Sequence, residues 1–250
     1  MTSYLYDSAY LDTVQRLFEA TKRRSYELLC VLPTDRIFDI GCGNGKDAVA
    51  LAEMGATVLG IDCHAEFLQD AARLARSDQR LRFLHSDAEC IDCPEESADK
   101  IRFDRVFQHL KNPTGVLSEA KRLLKPGGLC QFVDIDYFGM TIFSCDTGLE
   151  RAVVDSIARE RIPNAHNVRA LPAMLADCGF VVTGIEVHPF VVEDYSTAKY
   201  LIRFDTVVDQ LLRRGEITTT QYGEWQRYEE ASGAMFRLVI PLIIIMAYKP

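Results

Sequence analysis

The sequence predicts an α/β fold, a doubly wound and mostly parallel sheet of seven strands. Two observations carry that expectation. The apolar stretch Arg36-Ile37-Phe38 runs into Asp39-Ile40-Gly41-Cys42-Gly43-Asn44-Gly45 and then into the helical pattern Asp47-Ala48-Val49-Ala50-Leu51-Ala52. Strand, glycine turn and helix in that order open a doubly wound domain, whose ligands bind at the carboxyl ends of its strands. Strand-like and helix-like segments then follow one another as far as Ile135, as parallel strands with crossover helices require. The chain's 250 residues, 48% of them apolar, suit one such domain with an insertion.

Residues Tyr10 to Leu32 carry a helical period through Leu11, Val14, Leu17, Phe18, Tyr26, Leu28 and Leu29. Thr21-Lys22-Arg23-Arg24-Ser25 interrupts it, which predicts two helices lying across the mouth of the ligand site. Tyr4, Tyr6, Tyr10 and Arg24 are candidate mouth residues. Arg36 to Ile40 is the first strand. Gly45 to Met54 is the first core helix, with Gly55 at the position after its C-cap. Thr57 to Asp62 is strand two, Ala65 to Arg76 a helix, and Leu81 to His85 strand three. Ala98 to Phe103 is strand four. Thr114 to Leu124 is a helix, stopped by Lys125-Pro126-Gly127-Gly128, and Leu129 to Ile135 is strand five. Val181 to Val187 is strand six. Ser196 to Arg214 and Ile217 to Ser232 have helical spacing, and Phe236 to Tyr248 reads as strand seven, buried on both faces. About 45 residues thus separate the last two strands, read as a helical cap over the substrate side or as a dimerisation surface. The predicted layout is a single domain: an N-terminal helical cover (1–34), a core (35–190), a cap (191–235) and a last strand (236–250).

The glycine turn discriminates between ligands. Glycines at 41, 43 and 45 remove every second Cβ, so the backbone can lie against a ligand. A dinucleotide turn has its third glycine one residue later, because a pyrophosphate sits at the helix N-terminus. Here an acid, Asp39, precedes the turn. Beside a pyrophosphate it repels; beside an ammonium or sulfonium it attracts, by about 4 kcal/mol at ~4 Å and an effective dielectric of ~20. The turn therefore favours a cationic nucleoside. Strand two ends on Asp62, placed to accept both ribose hydroxyls, with Cys63 along the adenine edge. Asp87, just past strand three, can accept from an adenine amino group.

Composition excludes other classes. A formal net charge of −8 argues against sequence-independent phosphate binding, so no nucleic-acid partner is expected. The N-terminus lacks a basic start and an apolar signal core, and the longest apolar run, Leu238 to Ala247, is too short to span a bilayer. Eight cysteines without a secretion signal read as reduced thiols of a cytoplasmic protein that no membrane holds. Cys90-Ile91-Asp92-Cys93 is a lone pair without partner ligands, so no metal is expected.

Taken together, Asp39 to Gly45, Ile61-Asp62, Ser86-Asp87-Ala88, Ala98 to Ile101, Gln108-His109-Leu110-Lys111-Asn112-Pro113, Leu124 to Gly128 and Leu171 to Phe180 form an ordered set. By that set the chain resembles class I S-adenosylmethionine-dependent methyltransferases. Within that class it resembles the small-molecule branch that includes ubiquinone and menaquinone C-methyltransferases and bacterial natural-product tailoring enzymes. The resemblance runs from about residue 36 to 190. It implies that S-adenosylmethionine is the cofactor and a small molecule of secondary metabolism or cofactor biosynthesis the acceptor. It implies that Asp39, Gly41, Cys42, Gly43 and Gly45 hold the cofactor's amino-acid end. Asp62 would hold the ribose, Cys63, Asp87 and Ala88 the adenine, and Phe103 would flank the reactive end. Asp104-Arg105 departs from the small residues usual there.

Methyl transfer from a sulfonium is an in-line displacement, governed by positioning and exclusion of water, and needs a base only for a protonated nucleophile. Candidate catalytic residues are His109, Asp136 and Tyr137 at strand ends, with His166 on a later loop. A nicotinamide-dependent oxidoreductase, and a cofactor-binding descendant that transfers no methyl, stand as alternative functions; a homodimer is compatible with either.

Overall fold

The computed structural model describes residues 8–75, 79–144, 146–202, 204–230 and 236–250. Its strands are β1 (Arg36–Ile40), β2 (Thr57–Asp62), β3 (Leu81–His85), β4 (Ala98–Asp104), β5 (Leu124–Ile135), β6 (Thr141–Ile142), β7 (Val181–Val192) and β8 (Leu238–Tyr248). The helices are α1 (Ser8–Leu17), α2 (Glu19–Leu29), α3 (Lys46–Glu53), α4 (Ala65–Ala75), α5 (Pro113–Leu123), α6 (Thr147–Ser156), α7 (Asn167–Asp177), α8 (Tyr195–Ile202), α9 (Asp205–Arg213) and α10 (Thr219–Glu230).

One sheet runs β3-β2-β1-β4-β5-β8, with β6 continuing the β5 side of β8 and β7 on its other side. β1 to β5 are parallel, and β8 runs antiparallel to both β5 and β7. The central strands are apolar on both faces, with Ile37, Phe38, Ile40, Ile101 and Phe103 all buried, as parallel strands covered by helices require. The chain leaves β1 toward β2 and β3, then returns to add β4 on the other side. The crevice where the winding reverses, between the carboxyl ends of β1 and β4, is where such sheets bind ligands.

Local chemistry sets the ends of the elements. Asn112 caps α5 by accepting from the Gly115 N–H at 3.1 Å, with Pro113 at the first helical position. Asp146 caps α6 through the Leu149 N–H at 2.9 Å.

Several expectations are revised. Residues 21–25 do not break the N-terminal helix; the break falls at Phe18, and Thr21, Lys22 and Ser25 are buried inside α2. Lys22 faces Asp47 and Asp104, and the Ser25 hydroxyl donates to the Lys22 carbonyl, which offsets the cost of burial. Among the described residues the sheet has eight strands rather than seven, because two-residue β6 joins β8; so short a strand carries no alternation to read. The segment 196–214 is two helices, α8 and α9. A sixth helix, α6, stands between β6 and α7, where no element was expected. Three helices do lie between β7 and β8. Their residues Tyr195, Ala198, Phe204, Val207, Leu211 and Trp225 share one apolar cluster with Val14 and Phe18 of the N-terminal cover.

Candidate functional site

A cavity of about 310 Å³ opens at the carboxyl ends of the parallel strands. Its floor comes from Asp39 to Asn44 and Asp47, from Ile61 to His64 and Phe67, from Ser86 and Ala88, and from Asp104 to Val106 and Gln108 to Leu110. Its wall comes from Tyr10, Leu11, Val14 and Phe18, from Ile135, Tyr137 and Met140, and from Leu201, Ile202 and Ile240.

The turn after β1 is fixed by its own glycines and by β2. Gly41 has φ +76°, and a Cβ there would stand 2.3 Å from Val106 Cγ2; Gly45 has φ +78°, and its Cβ would meet Phe83 at 2.7 Å. Neither position admits a side chain. The Gly41 and Cys42 N–H groups both donate to the Ile61 carbonyl, at 2.7 and 3.0 Å. Gly43 N donates to Asp62 Oδ2 at 2.8 Å, and His64 N donates to Asp62 Oδ1 at 2.8 Å. The His64 ring Nδ1 lies 3.1 Å from the same Oδ1, so Asp62 is held rigidly at the end of β2, 8% exposed, with accepting capacity left on Oδ2.

Behind the turn lies a buried charge network that sequence reasoning missed. The register sets Arg102 of β4 opposite Asp39 of β1. Arg102 is fully buried. It donates to Asp104 at 2.7 Å, to Asp47 at 3.0 Å and, more loosely, to Asp39 at 3.5 Å, and it lies over the Tyr26 ring at 5.3 Å. Lys22, from α2, pairs with Asp47 and with Asp104, the latter at 2.9 Å. Tyr26 donates to Asp47 at 2.7 Å, and Arg105 Nε donates to Asp104 Oδ1 at 3.2 Å. Three cations thus meet three carboxylates. Asp47, beside Lys22 and Arg102, is held well below the usual carboxylate range despite its burial. Asp104 is lowered likewise by Lys22 and Arg102. Asp39 has the longest contact. Burial pushes it up to about 7; Arg102 opposes the shift, and the neighbouring charges of Asp47 and Asp104 add to it. Its Oδ2 is buried without a partner. The signal for this network was a charged side chain at 102 inside an otherwise apolar central strand.

Of the expected site residues, Asp39, Gly41, Cys42, Gly43, Asp62, Cys63, Ala88, His109 and Tyr137 line the cavity together. Four stand elsewhere. Gly45 sits behind the turn as the N-cap of α3. Asp87 is exposed at the rim, its Oδ1 accepting from Glu89 N at 2.9 Å, while Ser86 and Ala88 on either side face in. Phe103 is buried below the floor, stacked on Phe132 at 5.3 Å and edge-on to Phe107 at 5.2 Å; Val106 lines the cavity instead. Asp136 is turned away from the cavity. β5 ends at Ile135, and Asp136 precedes the 3-10 turn Tyr137–Gly139, where Arg169 binds both its carboxylate oxygens at 2.7 and 2.8 Å.

Among the other candidates, Tyr10 lines the cavity. Arg24 instead pairs with Glu186 and Glu27, and His166 caps α7 through its backbone, away from the cavity. Tyr4 and Tyr6 lie outside the described residues.

His109 accepts at Nε2 from the Gln108 amide, 3.0 Å away, which places its ring proton on Nδ1. Packing, with the Arg105 and His64 charges nearby, lowers its pKa below the usual imidazole value. Water reaching the exposed part of the ring limits that shift. Among the described residues, one grouping has metal-ligand chemistry: Asp62, Cys63 and His64, with ligand atoms within 4.8 Å of one another. No helix among the described residues is long and apolar enough to cross a membrane.

The sheet order and the acid-flanked glycine turn define the fold of S-adenosylmethionine-dependent methyltransferases. Residues 38–132 match the family described as "Methyltransferase domain". The chain is 34% identical over 128 residues to the ubiquinone biosynthesis O-methyltransferase of Dinoroseobacter shibae, covering 50% of this chain and 51% of that protein. It is 35% identical over 124 residues to the 27-O-demethylrifamycin SV methyltransferase of Amycolatopsis mediterranei, covering 47% and 46%. The chain thus spans about half the length of these two relatives. Among solved structures it is similar in fold to the phosphoethanolamine N-methyltransferase 2 of Haemonchus contortus bound to S-adenosylmethionine. The TM-score is 0.59 at 18% identity, covering 94% of this chain and 56% of that one.

The residues present fit that cofactor. Asp39 offers a buried carboxylate oxygen with no partner, suited to the methionyl ammonium. The turn at Gly41 leaves no room for a Cβ. Asp62 is pre-set for the ribose, and Ala88 and Cys63 flank the space beyond it.

Proposed function

We propose that the chain transfers a methyl group from S-adenosylmethionine to a largely apolar small molecule. The bound cofactor supplies an electrophilic methyl on a sulfonium, and the chain's own residues hold, align and desolvate. The observation that carries the reading is the two-sided cavity. Asp39 and Asp62 stand on one side; Val14, Phe18, Ile135, Met140 and Ile240, each nine-tenths buried or more, stand on the other. Such a wall excludes water and holds an uncharged ring or chain in line with the methyl.

Tyr137 and His109 are the polar groups we assign to the acceptor. A neutral His109 accepts a hydrogen bond from an acceptor hydroxyl once Gln108 yields its place. Its lowered basicity makes it an aligning group more than a strong base. The names of the two relatives support a setting in secondary metabolism or cofactor biosynthesis. The free thiols among the described residues support a cytoplasmic one. The cap is read as a lid, supported by Leu201 and Ile202 of α8 in the wall and by the Tyr10 hydroxyl donating to the Leu201 carbonyl at 3.4 Å.

Calorimetry with S-adenosylmethionine tests the reading. Micromolar binding is expected, weakened tenfold or more, about 1.4 kcal/mol, in Asp62→Ala. A wild-type chain that does not bind the cofactor removes the proposal.

A further inference from the structure

Arg105 is a residue whose presence the fold does not require. It sits immediately after β4 with φ +58°, a left-handed conformation that strains a non-glycine residue. Its N–H is tied to the Val133 carbonyl at 2.6 Å, so the twist is locked. Glycine would adopt that backbone without strain, yet the position carries a long cation.

The side chain lies on the cavity floor, 15% exposed, with Nε committed to Asp104 Oδ1 at 3.2 Å. Among the described residues its two Nη groups make no hydrogen bond, and Tyr10 and Asp47 act on its charge from nearby. With Nε on Asp104, the two Nη groups, side by side at the end of the guanidinium, are left for a ligand of the cavity that Arg105 lines. That geometry matches a carboxylate bidentately. Lys22 cannot serve instead: it is buried on Asp47 and Asp104 and is not part of the cavity lining.

A second unused group, of opposite sign, belongs to another residue of the cavity lining: Oδ2 of Asp39, buried and without a partner. A relay of ion pairs joins the two: Asp39 to Arg102 at 3.5 Å, Arg102 to Asp104 at 2.7 Å, and Asp104 to Arg105 at 3.2 Å. Each end of the relay has unused hydrogen-bonding capacity, anionic at one end and cationic at the other. A ligand with one ammonium and one carboxylate on the same carbon satisfies both and leaves the network's charge balance unchanged. An anionic acceptor would satisfy one and leave the other.

We propose that Arg105 is a specificity-determining residue that grips the α-carboxylate of the cofactor's methionyl end, with Asp39 taking the ammonium. This rests on the cofactor reading above and adds a selection rule: the site distinguishes adenosyl sulfur compounds by whether they keep the amino-acid carboxylate.

The test is calorimetry on the full chain with three probes. These are S-adenosylhomocysteine, its decarboxylated analogue S-adenosyl-3-thiopropylamine, and 5′-methylthioadenosine, which lacks the whole amino-acid end. The wild type is expected to bind S-adenosylhomocysteine at least about twentyfold more tightly than the decarboxylated analogue, the size of one charge-assisted hydrogen-bonded pair. In Arg105→Met that ratio falls to near one, while affinity for the two carboxylate-free probes changes less than about threefold. Arg105→Lys keeps the charge, loses the fork and gives an intermediate ratio. A wild-type ratio below about threefold overturns the proposal without any variant. So does an Arg105→Met chain that weakens all three probes alike, since that marks a merely structural residue. Should the wild type bind none of the three, the cofactor reading falls and this proposal with it; binding without discrimination sinks the proposal alone.

Discussion

The two sides of the cavity are built on opposite principles. The floor is made of charges and missing side chains: Asp39, Asp62 and Arg105 around glycines that tolerate no Cβ. Its residues come from the first turns after four adjacent parallel strands, so each piece is local in sequence. The wall is made of apolar bulk from α1, from the ends of β5 and β8, and from α8, segments that meet only in the folded chain. A floor of fixed charges suits a ligand that never varies. A wall of packed hydrocarbon suits a ligand chosen by shape, and its residues can change without disturbing the network beneath.

The strongest test of that contrast is Arg102→Met. Arg102 is fully buried among Asp39, Asp47 and Asp104. Removing it strands carboxylates that Lys22 and Arg105 cannot all neutralise. Loss of one partner from a buried ionic cluster costs about 3–5 kcal/mol, read as a lowered urea midpoint at unchanged slope. A loss below about 1 kcal/mol would mean that the floor is held by packing, like the wall.

A paired experiment sharpens the contrast with one measurement. Gly41→Ala forces a Cβ to within 2.3 Å of Val106 Cγ2 at φ +76°. Cofactor affinity should fall about a hundredfold, near 2.7 kcal/mol. Leu201→Ala removes wall and should leave cofactor affinity within about twofold. If Leu201→Ala matched Gly41→Ala, the two sides would not be separable, and the cap would belong to the cofactor site.

The same contrast explains what could be read in advance. Asp39, Gly41, Gly43 and Asp62 were legible because a strand, a turn and an acid at a strand end are short-range patterns with one physical meaning. Arg102 was missed although it interrupts an apolar strand, because strand periodicity does not say what lies across the register; only its pairing opposite Asp39 does. Asp136 was expected to face the acceptor because strand five ends beside the crevice. The strand stops at Ile135 and the chain turns there, which leaves Ile135 and Tyr137 in the cavity lining and Asp136 to Arg169. Helix α6 had visible signals, a capping Asp146 and buried Leu149, Val153 and Val154, but no neighbouring pattern gave it a place. The wall residues Met140, Leu201 and Ile240 carry no signature of function at all, since an apolar side chain that lines a cavity reads like one that fills a core.

Between floor and wall stands Asp134, which offers the most delicate test. It is buried in β5, accepting from Gln108 N at 3.1 Å and from Ile135 N at 2.9 Å, and so ties the loop bearing Gln108 and His109 to the strand leading to Tyr137. Burial pushes its carboxyl up to about 7, against the pull of those two N–H groups. A carboxyl with a raised folded-state pKa binds its proton more tightly in the folded chain. Its contribution to stability is full below the unfolded value near 4 and is lost as pH rises through about 7. Asp134→Asn abolishes this titration. The variant loses stability at acid pH, because one N–H then faces the amide NH₂. Its deficit relative to wild type should shrink between about pH 4 and 7, by at most about 1.4 kcal/mol per pH unit. Urea unfolding at four pH values across that window measures the difference directly. A deficit that stays constant would mean that Asp134 is ionised throughout, with the two N–H groups outweighing burial. The joint between the two sides would then be as charged as the floor.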